Sequence, residues 1–422
     1  MLATLRQRNF ALLWVGGLIS LTGDWALFVG LPLFVYRTTG STLATGLMFM
    51  AGLLPRLALG SVAGVFVDRW DRRRTMVVVN GLLALSLLPL LAVRSADRLW
   101  IVYAVAFVES SLAQFVRPAE SALLPRLVGE ERLASANALN GLSNNLSRLI
   151  GPPLGGALAG AVGLSGVALC DAASFAVAGG LVALIAIEAR PTGAAEAPAG
   201  NPWAATWRAW LSGLRAVGGN PALRVVFLFI ALTGIGEGAM STLFVPFVTK
   251  VLGGGDAGYG WLVAAQGVGG LLGSLAIGRI GGGVPPARLL GLGALGLGLI
   301  DLAIFNYHPL VPGLAPAFVL MIVVGLPASG IGVGLYTLLQ TLAADAYLGR
   351  VFGAFGTTAA LAQLVGTAAA GGLGDVLGIV PVISVQGVVY TVGGLLVLAL
   401  LRGLARRPGP AGEVAEEPAA AL

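Results

Sequence analysis

The 422-residue chain is 57% hydrophobic and only 10% charged, with a mean hydropathy of +0.91. Soluble domains carry charge on about a quarter of their residues, so a soluble enzyme is excluded. One cysteine, Cys170, and one histidine, His308, allow no disulfide within the chain and no ordinary zinc centre, and the net charge of +6 is scattered at the edges of apolar runs rather than gathered in a nucleic-acid-binding domain.

A membrane helix needs about 20 apolar residues to cross ~30 Å of hydrocarbon. Apolar runs predict twelve such helices, at 10–36, 42–67, 75–93, 99–124, 134–160 and 165–187, then at 221–248, 257–280, 289–306, 313–343, 350–374 and 379–401. The first run is too long for a removable signal peptide and lacks its cleavage site. The 64 glycines and 22 prolines suit helices that pack closely in lipid. Both chain ends and the even-numbered connections carry most of the cations, among them Arg6, Arg8, Arg69, Arg72, Arg73, Arg74, Arg126 and Arg132. The odd-numbered connections hold only Arg37, Arg94, Arg98 and Lys250. Positive loops stay in the cytoplasm, so both termini are expected there, in a multi-pass protein of a bacterial cell membrane.

Residues 189–220 separate two sets of six helices. Their first part reads as a Pro/Gly/Ala-rich linker. The stretch holding Trp203, Trp207, Trp210, Arg208 and Arg215 reads as an amphipathic helix, either lying in the membrane interface or packed on the protein's own cytoplasmic face. Residues 404–422 read as a disordered tail.

A shift of 213 residues places Gly23-Asp24 on Gly236-Glu237, Arg37 on Lys250, Gly40 on Gly253, and Gly60-Ser61-x-Ala63 on Gly273-Ser274-x-Ala276. The halves therefore read as parallel repeats with substrate bound between them near the midplane. The predicted fold is all-α, with twelve transmembrane helices in two six-helix bundles, 1–188 and 221–403.

The loop Gly64-Val65-Phe66-Val67-Asp68-Arg69-Trp70-Asp71-Arg72-Arg73 resembles the Gly-x-x-x-Asp-Arg-x-Gly-Arg-Arg signature of the major facilitator superfamily, with Asp71 where the pattern has glycine. Gly151-Pro152-Pro153-Leu154-Gly155-Gly156 resembles the antiporter motif of its proton-coupled exporters. Arg117-Pro118-Ala119-Glu120, Asp171-x-x-Ser174-Phe175 and Gly349-Arg350-Val351-x-Gly353 resemble the drug:proton antiporter branch that holds macrolide exporters and the enterobactin exporter.

The resemblance implies that Gly64, Asp68, Arg69, Arg72 and Arg73 form a conformational gate. Asp68 can attract the N-terminus of the eleventh helix across the gap between halves. Arg117 and Glu120 either join that ionic cluster or meet lipid headgroups. Gly151, Gly155 and Gly156 permit a close helix crossing, and Pro152 withholds a hydrogen bond so that the helix can bend.

Asp24, Arg56, Glu109, Arg148, Asp171, Glu237 and Asp301 interrupt apolar helices. A charge facing lipid costs about 3 kcal/mol or more, so these groups are expected to face the interior or a wet cavity. Asp24 and Glu237, related by the repeat, are the leading proton carriers, with Glu109 third. The competing reading of Asp24 is a permanent ion pair with Arg148, and Asp171 and Asp301 are expected to be structural. No cofactor or metal is expected. The partners are a small-molecule substrate, protons and the lipid bilayer, with no nucleic acid, and the transporter is expected to be a monomer. The expected activity is export of a small organic compound, drug-like or macrolide-like, by proton antiport with alternating access. A narrow-range siderophore or metabolite exporter, a transport-inactive sensor or scaffold, and sodium coupling are left open.

Overall fold

The computed structural model describes residues 2–67, 70–186, 202–280, 283–344 and 347–404, and these are helical nearly throughout. Eleven helical stretches are long and apolar enough to cross a membrane. One of them, Glu130–Ala183, runs for 54 residues through Gly163, whose φ of 70° and ψ of −164° belong to a region used almost only by glycine. Contacts with the first span, Arg8–Thr39, show that the chain reverses there. Gly151 meets Thr22 and Trp25, and Gly155 meets Ala26, in ascending order. Ala178, Ser174 and Val167 meet Gly16, Gly23 and Gly30 in descending order. The stretch is thus two antiparallel spans, 130–162 and 164–183, and the chain crosses twelve times.

The other spans are the second, Thr42–Val67, the third, Arg72–Leu87 continued by a 3₁₀ turn to Ala92, and the fourth, Leu99–Val128. The seventh is Pro221–Pro246 with a π turn at Phe247–Val251, the eighth Gly255–Ile280 and the ninth Pro286–Asn306. The eleventh is Leu348–Leu377 and the twelfth Ile379–Leu404. The tenth, predicted as one helix over 313–343, spans Ala315–Leu342, with Val324 keeping helical dihedrals and its bonds to Leu320 and Ala328. Beside Val324, Gly325 and Gly269 of the eighth span touch backbone to backbone, a contact that no side chain could occupy.

The halves repeat one packing scheme. The first span packs on the fifth and sixth as the seventh packs on the eleventh and twelfth, and the second packs on the fourth as the eighth packs on the tenth. Gly23 lies against Asp171 and Ser174 of the sixth span, and Gly236 against Gln386 and Val389 of the twelfth. Gly40 and Gly253, ending the first and seventh spans, both have φ of 65°. The halves meet where the second span packs on the eleventh and the fifth on the eighth.

Twelve crossings return the chain to its starting side, so Leu2 and Leu404 lie on one face, hereafter the terminal face. The helix Pro202–Gly219 packs on this face. Gly213 lies against the Arg350 carbonyl and the Ala354 methyl, Val217 is buried, and Trp210 and Leu214 pack in the same cluster as Val351 and Ala354. The side of the helix that carries Gly213, Leu214 and Val217 is seated on the protein's own surface. The predicted linker at 189–201 and tail at 405–422 lie outside the described residues.

Candidate functional site

Two groups of polar side chains sit at mid-depth, one in each half. In the first half, Gly23 lets the sixth span approach so closely that a Cβ at residue 23 would lie 2.3 Å from Asp171 Oδ1. Asp171 is fully buried and accepts a 3.0 Å hydrogen bond from Ser174 Oγ. Asp24, beside Gly23, has a buried Oδ1 without a hydrogen-bond partner. Glu109 of the fourth span lies in electrostatic range of Asp24 and Asp171, and Arg56 of the second span in range of Glu109. Three carboxyl groups thus lie in range of one another, with one guanidinium in range of Glu109, an arrangement in which one proton more or less changes the interactions of the group.

In the second half, Glu237 Oε1 accepts a 2.6 Å hydrogen bond from the Tyr390 hydroxyl. Asp301, 4% exposed, lies beside Gln386 and in electrostatic range of Glu237. Asp171 and Asp301, expected to be structural, are therefore immediate neighbours of the leading carriers. Tyr390 and Gln386 were not legible as site residues, since a tyrosine or glutamine in an apolar run carries no signal of its partner.

Arg148 does not form the ion pair with Asp24 that is the competing reading of that acid. It stands on the face of the fifth span turned to the eighth, where Gly267 packs on its Cγ, while Asp24 turns toward the fourth and sixth spans. Its guanidinium lies 5.5 Å from the Trp25 ring centroid and donates a 2.7 Å hydrogen bond to Gln266 Oε1 across the seam between halves. The carboxylate in its electrostatic range is Glu237, which the sequence left without a cation. Equal depth along two helices did not make a pair, because rotation about the helix axes set the partners.

The antiporter motif lies where the fifth span passes both the first and the eighth. A Cβ on Gly151 would lie 2.4 Å from the Trp25 Cβ, one on Gly155 2.2 Å from the Ala26 carbonyl, and one on Gly156 2.6 Å from the Asp256 carbonyl. From the other side, Gly260 approaches the Pro152 carbonyl just as closely. The backbone keeps helical dihedrals through Pro152 and Pro153, and the departure comes at Gly163. The motif's glycines permit close approach of the three spans.

Among the described residues, the hydrogen bonds and ion pair joining the halves run from mid-depth to the face opposite the termini. Arg37 pairs with Asp256, the Lys250 ammonium lies 4.9 Å from the Tyr36 ring centroid, and Thr42 Oγ1 donates to the Gly371 carbonyl at 2.9 Å. Arg148 with Gln266 marks their inner limit. This face is closed.

On the terminal face, Asp68 and Arg69 of the expected gate lie outside the described residues, as do the surroundings of Gly64. Arg72 and Arg73 follow the N-cap residue Asp71, whose carboxylate accepts a 2.8 Å bond from the Arg74 amide. Capping gives Asp71 a physical reason to stand where the pattern has glycine. Arg73 donates to the carbonyls of Val182 and Ala183 at the end of the sixth span, a helix C-terminus that favours a cation. Arg117 is in electrostatic range of Glu120, which also accepts a 3.0 Å bond from Asn140.

The chain matches the family model described as a transmembrane secretion effector over residues 1–406. It is 26% identical over 420 residues to the uncharacterised MFS-type transporter YfiS of Bacillus subtilis, with 93% of each chain covered. It is 27% identical over 405 residues to the enterobactin exporter EntS of Escherichia coli O1:K1, covering 94% of this chain and 92% of the relative. Solved structures with the same fold include the nucleoside transporter NupG, at a TM-score of 0.75 and 12% identity over 93% of this chain and 99% of that one. Another is a bacterial homologue of the iron transporter ferroportin in an inward-facing state, at a TM-score of 0.72 and 14% identity over 93% and 98%. The chain belongs to the transmembrane secretion effector family, within the major facilitator superfamily of membrane transporters.

Proposed function

We propose that this transporter exports a small organic compound by proton antiport, using alternating access of a site between its halves. The observation that carries this reading is the pair of mid-depth carboxylate groups, Asp24 with Glu109 and Asp171, and Glu237 with Asp301, built around two acids, Asp24 and Glu237, at equivalent places in the two repeats. A carboxyl group held away from bulk water can load a proton when the site faces one side and release it when the site faces the other. Substrate and proton then exclude each other at the same groups, and the proton gradient drives extrusion.

The arginine-rich terminal face is assigned to the cytoplasm. The closed opposite face is then the outer one, and substrate is loaded from inside. The protein is expected to work as a monomer, since each half supplies one of the two groups. A second reading, a narrow-range exporter of a siderophore or similar metabolite, is favoured by the whole-length likeness to a protein named an enterobactin exporter.

The two readings separate in proteoliposomes under an imposed pH gradient. Uphill movement of several lipophilic cations and macrolides supports the broad exporter. Movement confined to catecholate or hydroxamate chelators supports the narrow one. Movement of neither class would sink the antiport proposal.

A further inference from the structure

The second and eleventh spans run antiparallel along the seam, and each ends in the same pattern. Ala63-Gly64 with Asp68 four residues after the glycine closes the second span, and Ala370-Gly371 with Asp375 four residues after it closes the eleventh. Asp375 is described, and its carboxylate does something unusual for a helix end. It accepts from the backbone amide of Thr42 at 3.1 Å and from Ser41 Oγ at 3.0 Å, capping the N-terminus of the second span from the other half of the molecule. N-terminal amides are four unsatisfied donors with a positive dipole end, so a carboxylate there makes a strong, charge-assisted contact.

The backbones beneath this cap are in direct contact. Gly46 lies against the Thr367 carbonyl and the Gly371 Cα, and Gly374 against Thr42. Thr242, fully buried, sits beside Gly46 under the same seam.

We propose that Asp375 is the outer latch of the transport cycle: its trans-cap on the second span holds the outer face closed in the state seen here and must release for that face to open. Asp375 grips the start of the second span when the outside is closed, and in the sequence Asp68 keeps the same spacing from its own glycine. The inference rests on the alternating-access reading but not on the identity of the substrate or of the coupling ion. Nothing in the latch requires Asp375 to carry a transported proton.

The test uses full-length protein in lipid nanodiscs with Cys170→Ser and Thr242→Cys, labelled with a polar maleimide. Residue 242 is buried from both faces here, so its labelling rate reports opening of the outer seam. Asp375→Asn removes the charge, and Thr42→Pro removes the amide donor at a first helical position where proline is tolerated. Each is expected to raise the labelling rate about tenfold, as loss of a charge-assisted hydrogen bond implies. Thr42→Pro also removes the hydroxyl bond to the Gly371 carbonyl, so the double variant should label no faster than Thr42→Pro alone. Asp375→Glu, which keeps the charge, should label more slowly than Asp375→Asn, and Asp97→Asn, an exposed acid of the same face, should label like the parent. Unchanged labelling in both Asp375→Asn and Thr42→Pro would overturn the latch. Because the readout needs no substrate, it can fail while gradient-driven export succeeds, and the reverse.

Discussion

Asp24 and Glu237 occupy equivalent places, yet their partners differ in kind. Asp24 has two further carboxyl groups nearby, whereas Glu237 has a phenol in hydrogen-bond contact and a guanidinium from the other half in range. Tyr390→Phe removes only that phenol, and it is expected to slow export without lowering the amount of folded protein, as measured by proteoliposome flux beside size-exclusion yield. Arg148→Gln keeps the seam position polar but deletes the only described side-chain hydrogen bond at its inner limit, and a faster leak of substrate down its gradient is the expected result. The acids and Arg148 were legible because charges in apolar runs stand out. Their pairings were not, since the spacing gives depth along a helix but not which neighbour the side chain faces. Tyr390 and Gln386 were invisible for the same reason.

Glycine governs this molecule at the scale of its helices. Gly155→Ala would place a methyl 2.2 Å from the Ala26 carbonyl and 2.7 Å from its Cα, both backbone atoms that cannot turn aside. Overpacking of this kind costs about 1–3 kcal/mol, seen as a lower melting temperature in detergent. Gly163→Ala faces a different penalty, the conformation itself, of about 1–3 kcal/mol, and nothing stands within 4 Å of its Cβ position. A melting loss with Gly163→Ala but none with Gly17→Ala, which is helical and also open, would separate strain from packing. The twelve spans were legible from apolar run length, and the reversal between 160 and 165 fell where the structure has Gly163. The close contact of Gly269 with Gly325 was not legible, because it depends on which helices face each other.

At the scale of the whole molecule, the stitches described across the seam lie from mid-depth to the face opposite the termini. The stitches are chemically varied: an ion pair, a cation over a ring, a trans-cap and glycine-mediated backbone contacts. Rigid rocking of one half against the other breaks all of them together, which is the behaviour expected of repeats closing around a central site. The repeat itself was legible from the shift of 213 residues, and with it the equivalence of Asp24 and Glu237. The closure of the face opposite the termini was not, because it depends on contacts between halves that no single-helix pattern encodes.

The central claim is that protons and substrate exchange at these carboxylates. It is tested most directly by uphill flux into or out of proteoliposomes under an imposed pH gradient, comparing the parent with Asp24→Asn and Glu237→Gln. The account predicts uphill movement in the parent that collapses with a protonophore and is lost in at least one variant, while downhill movement persists. Uphill movement that survives in both variants with its pH dependence unchanged would contradict it.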